Sequence, residues 1–359
     1  MRQRYSKVVF GLLCAVFFSP SLLVAVASES KINSERPYFA QNALLFAGNA
    51  NPELALEVAE NLGVGLGKLQ VKQFNDGEIQ VRVDESVRNK EIFILQSTCS
   101  SGGRSVNDHI MELFLLVRTM KRASAASITA VIPYYGYARQ DRKVSPRVPI
   151  SAADIAILFE EAGVDRVVTV DLHCGQIQGF FRNAPVDNLT ASGLFIDHFV
   201  KKNLKNIVVV APDAGGVDRA KKFMEQLQKK GHNAQMAIIS KQRAGAGVID
   251  SMKLIGEVSG AEAIIIDDLC DTAGTLVQAA QLLKDKGASR VYAAITHPVF
   301  SGPALSRIKN SVIEELVITN TIPLSKDAPS NITSVSCAGL LAEAIYRIHL
   351  GGSVSELFK

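Results

Sequence analysis

The residues best suited to chemistry form one short stretch at positions 267–275. It follows the apolar run 263–266 and leads into a helical pattern, which predicts a strand, a tight turn and a helix. The turn Ala273–Thr275 would bring unhindered backbone N–H groups to a helix start, where free amides and the helix dipole favour a phosphate. Asp267 and Asp268 would repel that anion, so we expect them to face sugar hydroxyls or the shell of a magnesium ion. The stretch therefore predicts a sugar-phosphate site.

A regular alternation of strands and helices would position this stretch. Predicted strands lie at 43–47, 92–96, 128–132, 166–170, 207–211, 263–266 and 291–295. Amphipathic segments separate them. This alternation predicts an α/β fold with mainly parallel sheets, helices on both faces, and ligands at the carboxyl ends of the strands.

Three of the predicted helices are marked by their termini or by an apolar face. Asn51 predicts an N-cap, with a proline at the first helical position and Gly63 at the end. The segment 108–121 places its apolar residues on one face of a helix. Ser151 with Asp154 predicts a capping box at the start of the third helix.

Two polar clusters accompany predicted strands in the first half of the chain. Gly77 predicts a turn between two short strands, from which the carboxylates of Asp76 and Glu78 project, although a plain hairpin turn explains the same residues. Arg139 and Gln140 follow the strand 128–132 and a short segment that contains three tyrosines. Aromatic rings, a guanidinium group and an amide suit a purine with its phosphates, and a solvated loop is the alternative.

Further candidates lie at later strand ends. His173 and Asp213 could hold a magnesium ion that is bound mainly by substrate phosphates, although magnesium prefers oxygen and a structural histidine is the alternative. Lys241 and Arg243 precede a segment rich in glycine and alanine. This segment resembles a lid that would close positive charge onto a phosphoryl group, with a solvated surface loop as the alternative.

Composition narrows the class of protein. With 359 residues, of which 47% are hydrophobic and 21% charged, the chain is long enough for two globular domains. The formal net charge of +4 is small and is not concentrated in a basic run. We therefore expect no nucleic-acid partner. The five cysteines show no C-x-x-C or metal-type spacing, which argues against a disulfide framework.

The first 27 residues differ from the rest of the chain. Three basic residues precede an uncharged run from Val8 to Ala27, which is the form of a secretory signal peptide. A retained membrane anchor would also fit, because the run is long. A buried strand or a start codon placed too early are the remaining explanations.

The order of the motifs resembles the ribose-phosphate pyrophosphokinase family, in its bacterial-type, phosphate-activated class. F-N-D-G-E, Y-G-Y-A-R-Q-D-R, V-D-L-H, P-D-A-G-G-V, K-Q-R and D-T-A-G-T follow one another as in that family, and the similarity runs from about Ala43 almost to the C-terminus. The resemblance implies two phosphoribosyltransferase-type domains, each a mainly parallel sheet flanked by helices, with ATP and ribose 5-phosphate meeting between them. We expect a leader and linker at 1–42, domains at 43–189 and 190–340, and a C-terminal helix at 341–359 that packs on the first domain.

The resemblance also implies a role for each matching residue. ATP would be bound by Asp76, Gly77, Glu78, Arg139 and Gln140, the first three reaching in from a neighbouring subunit. Ribose 5-phosphate would be bound by Arg243, Asp267, Asp271, Thr272, Ala273, Gly274 and Thr275. Magnesium would be held by His173 and Asp213, and the catalytic residues would be Lys241 and Arg243. The family acts as a homo-oligomer, usually a hexamer built from dimers, and inorganic phosphate is a candidate activator.

The chain departs from the family pattern at three places. Gly247 stands where the flexible loop commonly has asparagine, and residues 101–105 lengthen a loop in the domain that carries the family's subunit contacts. The leader conflicts with the cytoplasmic location that an ATP-consuming enzyme of this family implies. Two other functions stay open: a phosphoribosyltransferase that consumes the diphosphate sugar, and a non-catalytic subunit that regulates a true synthetase.

Overall fold

The computed structural model describes residue 39 and residues 41–245 and 248–358. The leader at 1–27 and Gly247 lie outside these residues, and so do the predictions made on them. Within the described part of the chain, no helix is both long and apolar enough to cross a membrane.

The first half of the chain alternates strands and helices from its first described strand. In chain order the elements are β1 (Ala43–Ala47), α1 (Pro52–Leu62), β2 (Leu69–Gln73), β3 (Ile79–Val83), β4 (Glu91–Leu95), α2 (Val106–Arg122), β5 (Ser127–Ile132), α3 (Ser151–Ala162), β6 (Arg166–Val170) and β7 (Val186–Leu189).

Five of these strands form a parallel sheet with the order β1-β4-β5-β6-β7. Successive side chains of β4 enter different cores: Phe93 and Leu95 pack on one face, and Ile92 and Ile94 on the other. A strand buried on both faces reads as a continuous apolar run, which is why β4 shows no polar alternation. The remaining strands, β2 and β3, pair as a separate antiparallel hairpin.

The second half repeats the arrangement with a larger sheet. Its elements are α4 (Ser192–Lys201), β8 (Ile207–Ala211), α5 (Val217–Lys229), β9 (Ala234–Gly245), β10 (Val248–Ile255), β11 (Glu262–Cys270), α6 (Gly274–Asp285), β12 (Arg290–Pro298), α7 (Ala304–Lys309), β13 (Glu315–Thr319), β14 (Ile332–Val335) and α8 (Ala338–His349). The strand order is β10-β9-β8-β11-β12-β13-β14. All neighbouring strands are parallel except β9 and β10, which form an antiparallel hairpin at the edge.

The two halves share one hydrophobic core. Helix α8, close to the end of the chain, packs against α1, close to the start of the described residues, through residues such as Leu341 and Leu54. Polar contacts join the halves beside this core: Asn51 donates to the carbonyl of Asn320 at 2.8 Å, and Ser97 donates to the carbonyl of Thr321 at 2.6 Å. The two halves are therefore joined by polar as well as apolar contacts.

The predicted fold class is confirmed, and most predicted elements lie within one or two residues of the observed ones. The Asn51 side chain accepts the N–H of Leu54, and Gly63 adopts the left-handed conformation that ends α1. The capping box at Ser151 and Asp154 is wrong. Helix α3 already begins at Ser151, its N-cap is Ile150, and no side chain caps it. The Ser151 hydroxyl bonds Gln140 instead.

Candidate functional site

A cleft of about 1720 Å³ lies where the carboxyl ends of strands from both sheets face each other. Arg139 and His173 reach it from the first half, and Asp213, Arg219 and the loop 267–275 from the second. The lining is strongly charged, with several carboxylates and arginines. Such a cleft suits a polar, phosphorylated ligand better than an apolar one.

The predicted phosphate loop joins β11 to α6. Helix α6 begins at Gly274, and its N-cap Ala273 has φ 60° and ψ 3°, a left-handed conformation that costs an L-residue free energy. Residues 271–275 all line the cleft, with a helix N-terminus behind them. The free amides of a helix start and the helix dipole favour an anion at this point.

The two aspartates before the loop are held by an arginine. Arg219, in the first turn of α5, contacts Asp267 at 3.2 Å and Asp268 at 3.1 Å. Asp268 also accepts a hydrogen bond of 2.7 Å from Nδ1 of His173, which belongs to the other half of the chain. Asp268 therefore joins the two sides of the cleft and is less free to meet a sugar than we expected, although both aspartates line the cleft.

These contacts shift the pKa values of the groups that make them. The hydrogen bond to Asp268 raises the pKa of His173. Burial alone would raise the pKa of Asp268, but the His173 hydrogen bond and the charge of Arg219 outweigh it, and the pKa is lowered. The pKa of Asp267 is raised, because burial and the negative charge of Asp268 oppose its ionisation. Asp267 is therefore the more easily protonated of the two.

Arg139 and Asp271 meet across the cleft. Nη1 of Arg139 lies 2.6 Å from Oδ2 of Asp271, so a predicted ATP residue is paired with a predicted ribose-phosphate residue. Gln140 is directed elsewhere, since its side chain bonds Ser151, and it does not line the cleft. The structure therefore brings Arg139, but not Gln140, to the phosphate loop.

The two predicted metal ligands both line the cleft. Asp213 uses Oδ1 to accept the N–H groups of Gly215 and Gly216, at 3.0 and 3.1 Å. The His173 ring is oriented by Asp268, as is usual for a histidine that binds a metal through its other nitrogen. Among the described residues, no group of three or more His, Cys, Asp or Glu side chains could hold a metal alone. One imidazole and one carboxylate fit a magnesium ion that substrate phosphates hold for the most part.

The remaining predicted residues lie on two hairpins, and those of the first hairpin do not line the cleft. Asp76, Gly77 and Glu78 form the exposed turn of the β2–β3 hairpin. Lys241 and Arg243 lie on β9, where their backbones pair with Met252 and Ile249 of β10. The base of this hairpin borders the cleft through Ser240 and Ile255.

Sequence reasoning missed the hydrogen bonds that hold the residues just before His173. Asp171 has φ 38°, and its carboxylate accepts a hydrogen bond of 2.7 Å from the Thr296 hydroxyl on the opposite side of the cleft. Nε2 of His297 lies 3.0 Å from the carbonyl of Val170. Arg219 was missed too, although an arginine in the first turn of a helix that starts at a strand end was a usable signal.

Comparison with known proteins agrees with this geometry. Residues 43–163 match the N-terminal domain of ribose phosphate pyrophosphokinase, and residues 236–359 match the phosphoribosyl synthetase-associated domain. The chain is 52% identical over 318 residues to a ribose-phosphate pyrophosphokinase of Burkholderia pseudomallei, covering 88% of this chain and 97% of that protein. It is 53% identical over 316 residues to one of Caldanaerobacter subterraneus, with the same coverage of both chains.

A solved structure is similar over the same region. The phosphoribosylpyrophosphate synthetase of Mycobacterium smegmatis superimposes with a TM-score of 0.80 at 40% identity, covering 87% of this chain and 100% of that one. Two mainly parallel sheets flanked by helices, together with this structural match, define a two-domain protein of the phosphoribosyltransferase fold type. Within that class, the chain belongs to the ribose-phosphate pyrophosphokinase family.

Proposed function

We propose that this protein transfers the β,γ-diphosphoryl group of Mg-ATP to the C1 hydroxyl of ribose 5-phosphate. The products are 5-phosphoribosyl 1-diphosphate, which feeds nucleotide, histidine and tryptophan biosynthesis, and AMP. One observation carries the proposal: half of the residues are identical to relatives named for this activity, over nearly their whole length. The charged cleft, with a phosphate loop on one side and Arg139 on the other, supports it.

The proposed division of labour follows the two sides of the cleft. Ribose 5-phosphate occupies the loop 271–275, with Asp267 and Arg243 beside the sugar. ATP is bound by Arg139 and Gln140, and by the turn 76–78 of a neighbouring subunit. This role for the turn requires self-association, which we propose to be a homohexamer built from dimers. We keep residues 43–189 and 190–340 as the proposed domains, followed by the C-terminal segment 341–359.

The reaction is a displacement at phosphorus without a covalent enzyme intermediate. The C1 oxygen forms a bond to the β-phosphorus, the bond from that phosphorus to the oxygen bridging to the α-phosphate breaks, and the C1 hydroxyl loses its proton. Little covalent chemistry falls to the protein, so positioning and charge neutralisation dominate catalysis. Lys241 and Arg243 supply positive charge as negative charge grows on the transferred group.

Magnesium, inorganic phosphate and the compartment complete the proposal. His173 and Asp213 would hold magnesium together with the substrate phosphates, and the ion would neutralise phosphate charge when bound. Inorganic phosphate is a candidate activator, although the lengthened loop at 101–105 lies in the domain where the family makes its subunit contacts. The dependence on ATP argues for the cytoplasm. Fusing residues 1–42 to an export reporter tests this, because an exported or cleaved reporter contradicts it.

The direct test is a product assay on the full chain. The protein is incubated with Mg-ATP, ribose 5-phosphate and inorganic phosphate, and phosphorus NMR follows AMP and the new C1 diphosphate. We expect equal amounts of both products, and a loss of about 10²–10³-fold in turnover for Lys241→Ala with a smaller effect on ATP binding. ATP binding without AMP formation would favour the non-catalytic regulatory subunit. Consumption of added diphosphate sugar would favour a phosphoribosyltransferase.

A further inference from the structure

The phosphate loop is held from outside the cleft by the segment 300–307. The backbone N–H of Phe300 donates to the carbonyl of Cys270 at 3.0 Å, and that of Ser301 donates to the carbonyl of Asp271 at 3.1 Å. Phe300 has φ 47°, which is unfavourable for an aromatic residue and occurs where the two segments meet. The loop is therefore fixed by hydrogen bonds as well as by the elements on either side of it.

Arg307 makes the third contact of this kind, and the only one of the three made by a side chain. Its Nη1 donates to the carbonyl of Thr272 at 2.9 Å. The same nitrogen lies 3.3 Å from the point where a Cβ on Gly274 would be, so the guanidinium packs closely against the first residue of α6. Arg307 is exposed, sits on the short helix α7, and does not line the cleft.

These three contacts determine which way the loop amides face. In a trans peptide the carbonyl of one residue and the N–H of the next point in opposite directions. The carbonyls of residues 270, 271 and 272 all turn toward the segment 300–307, so the peptide N–H groups that follow them turn to the opposite side. Residues 271–275 line the cleft on that side. The segment thus turns the N–H groups of residues 271–273 away from itself, and that of Ala273 also faces the Cys270 thiol, which lines the cleft too.

We infer that Arg307 is a positioning residue for the 5-phosphate of ribose 5-phosphate. It holds the Thr272 carbonyl away from the anion, and it places a positive charge against the start of α6, outside the cleft. The inference rests on the proposed function, because it explains how the sugar-phosphate side of that same site is preorganised. It predicts an effect on binding of the phosphorylated sugar and little effect on ATP or on the chemical step.

The test compares Arg307→Met with Lys309→Met in the full chain. Lys309 is exposed on the same helix, so its variant removes one positive charge from the same surface and is the matched control. We expect Arg307→Met to raise the KM for ribose 5-phosphate about tenfold, the loss typical of a charge-assisted hydrogen bond. The kcat, the KM for Mg-ATP and the melting temperature should stay close to those of Lys309→Met. Arg307→Lys keeps a donor and the charge, and it should recover part of the affinity.

Two results would overturn the inference. One is equal affinity of Arg307→Met and Lys309→Met for ribose 5-phosphate. The other is a parallel fall of kcat, both affinities and the melting temperature in Arg307→Met without recovery in Arg307→Lys, which would give Arg307 a role in folding alone. Binding of ribose 5-phosphate by calorimetry makes the comparison independent of turnover. A wild-type chain that binds the sugar phosphate but forms no AMP would therefore count against the proposed function and leave the test of Arg307 intact.

Discussion

The phosphate loop at 271–275 and the hairpin turn at 74–78 both carry motifs that resemble those of the family, but they are held in different ways. The loop lies between β11 and α6, is bonded to the segment 300–307, and pairs with Arg139 from the other half. The turn is exposed, and its defining hydrogen bonds, such as that from Gly77 N–H to the Phe74 carbonyl at 2.9 Å, lie within the turn itself. The loop is therefore held by distant parts of the chain, whereas the exposed turn is held by its own hydrogen bonds, including one from the Glu78 N–H to the Asp76 carboxylate at 3.1 Å.

Among variants that test this comparison, Asp268→Asn is expected to cause the largest loss of activity and stability. The Asp268 side chain is only 5% exposed and contacts both His173 and Arg219. An amide would remove the negative charge that faces the His173 ring and would leave the partly exposed Arg219 paired with Asp267 alone. We expect kcat/KM to fall about 10–100-fold and the free energy of unfolding to fall by about 3 kcal/mol.

Steady-state kinetics and urea denaturation measure these two losses, with Asp76→Asn in the exposed turn as the control. Asp76→Asn should leave the free energy of unfolding nearly unchanged, because surface substitutions usually change it by less than about 0.5 kcal/mol. Equal destabilisation by the two variants would remove the proposed difference between the loop side and the turn.

A second, intermediate effect on activity is expected from Glu78→Ala. This variant is tested alone and in mixed assemblies with Lys241→Ala. If the turn serves a neighbouring subunit, Glu78→Ala should raise the KM for ATP about tenfold, the effect of about one lost hydrogen bond to a charged group. Coexpressed with Lys241→Ala, it should regain activity, because some sites would combine an intact lysine with an intact turn from the next chain.

The readout is ATP-dependent AMP formation by purified mixed assemblies carrying two different tags. Each variant assembled alone is the control. Activity of the mixture equal to the average of the two controls would mean that each turn serves its own chain, and the comparison would fail.

The smallest effect concerns the pairing of Arg139 with Asp271. Burial would raise the pKa of Asp271, but hydrogen bonds from Ser301 and Arg139 outweigh it, and the pKa is lowered. A carboxyl with a lowered folded-state pKa stabilises the fold above its unfolded pKa of about 3.9, and this contribution is lost as pH falls through the folded value. Asp271→Asn should therefore lower the free energy of unfolding by less than about 1 kcal/mol at neutral pH, since Arg139 is half exposed.

Urea denaturation of wild type and Asp271→Asn at pH 7 and at about pH 3 checks the sign. The difference in the free energy of unfolding should shrink at the lower pH. A difference that stays constant or grows would show that the ion pair does not account for it.

Local chemistry accounts for the parts of the fold that the sequence predicted well. The ends of α1 follow from Asn51 and Gly63, whose side-chain and backbone preferences act within one turn of the chain. The strand before the phosphate loop follows from an apolar run. Ser151 shows the limit of such reasoning, because its hydroxyl bonds Gln140 instead of the helix terminus. A tertiary partner can replace a cap that the local pattern allows.

The centre of the site could be predicted only in part, for a related reason. His173 and Asp268 are 95 positions apart, and their contact depends on how the two sheets face each other. Arg307 and Thr272 are 35 positions apart and meet because β12 lies beside β11. Motifs indicated which strand ends carry polar side chains. Which of those side chains pair with one another is set by sheet order and by the packing of the halves, which no short stretch encodes.

The contact between α1 and α8 has a consequence for synthesis of the protein. The buried face of α1 includes Leu54, Val58 and Leu62. These residues share an apolar cluster with Ala338, Leu341 and other residues of α8, which lie more than half the chain length away in sequence. At roughly 5–20 residues per second, the ribosome needs on the order of tens of seconds to synthesise α8 after α1 has emerged. We expect the face of α1 that packs on α8 to stay exposed during this interval, so the nascent chain should bind chaperones until α8 has emerged.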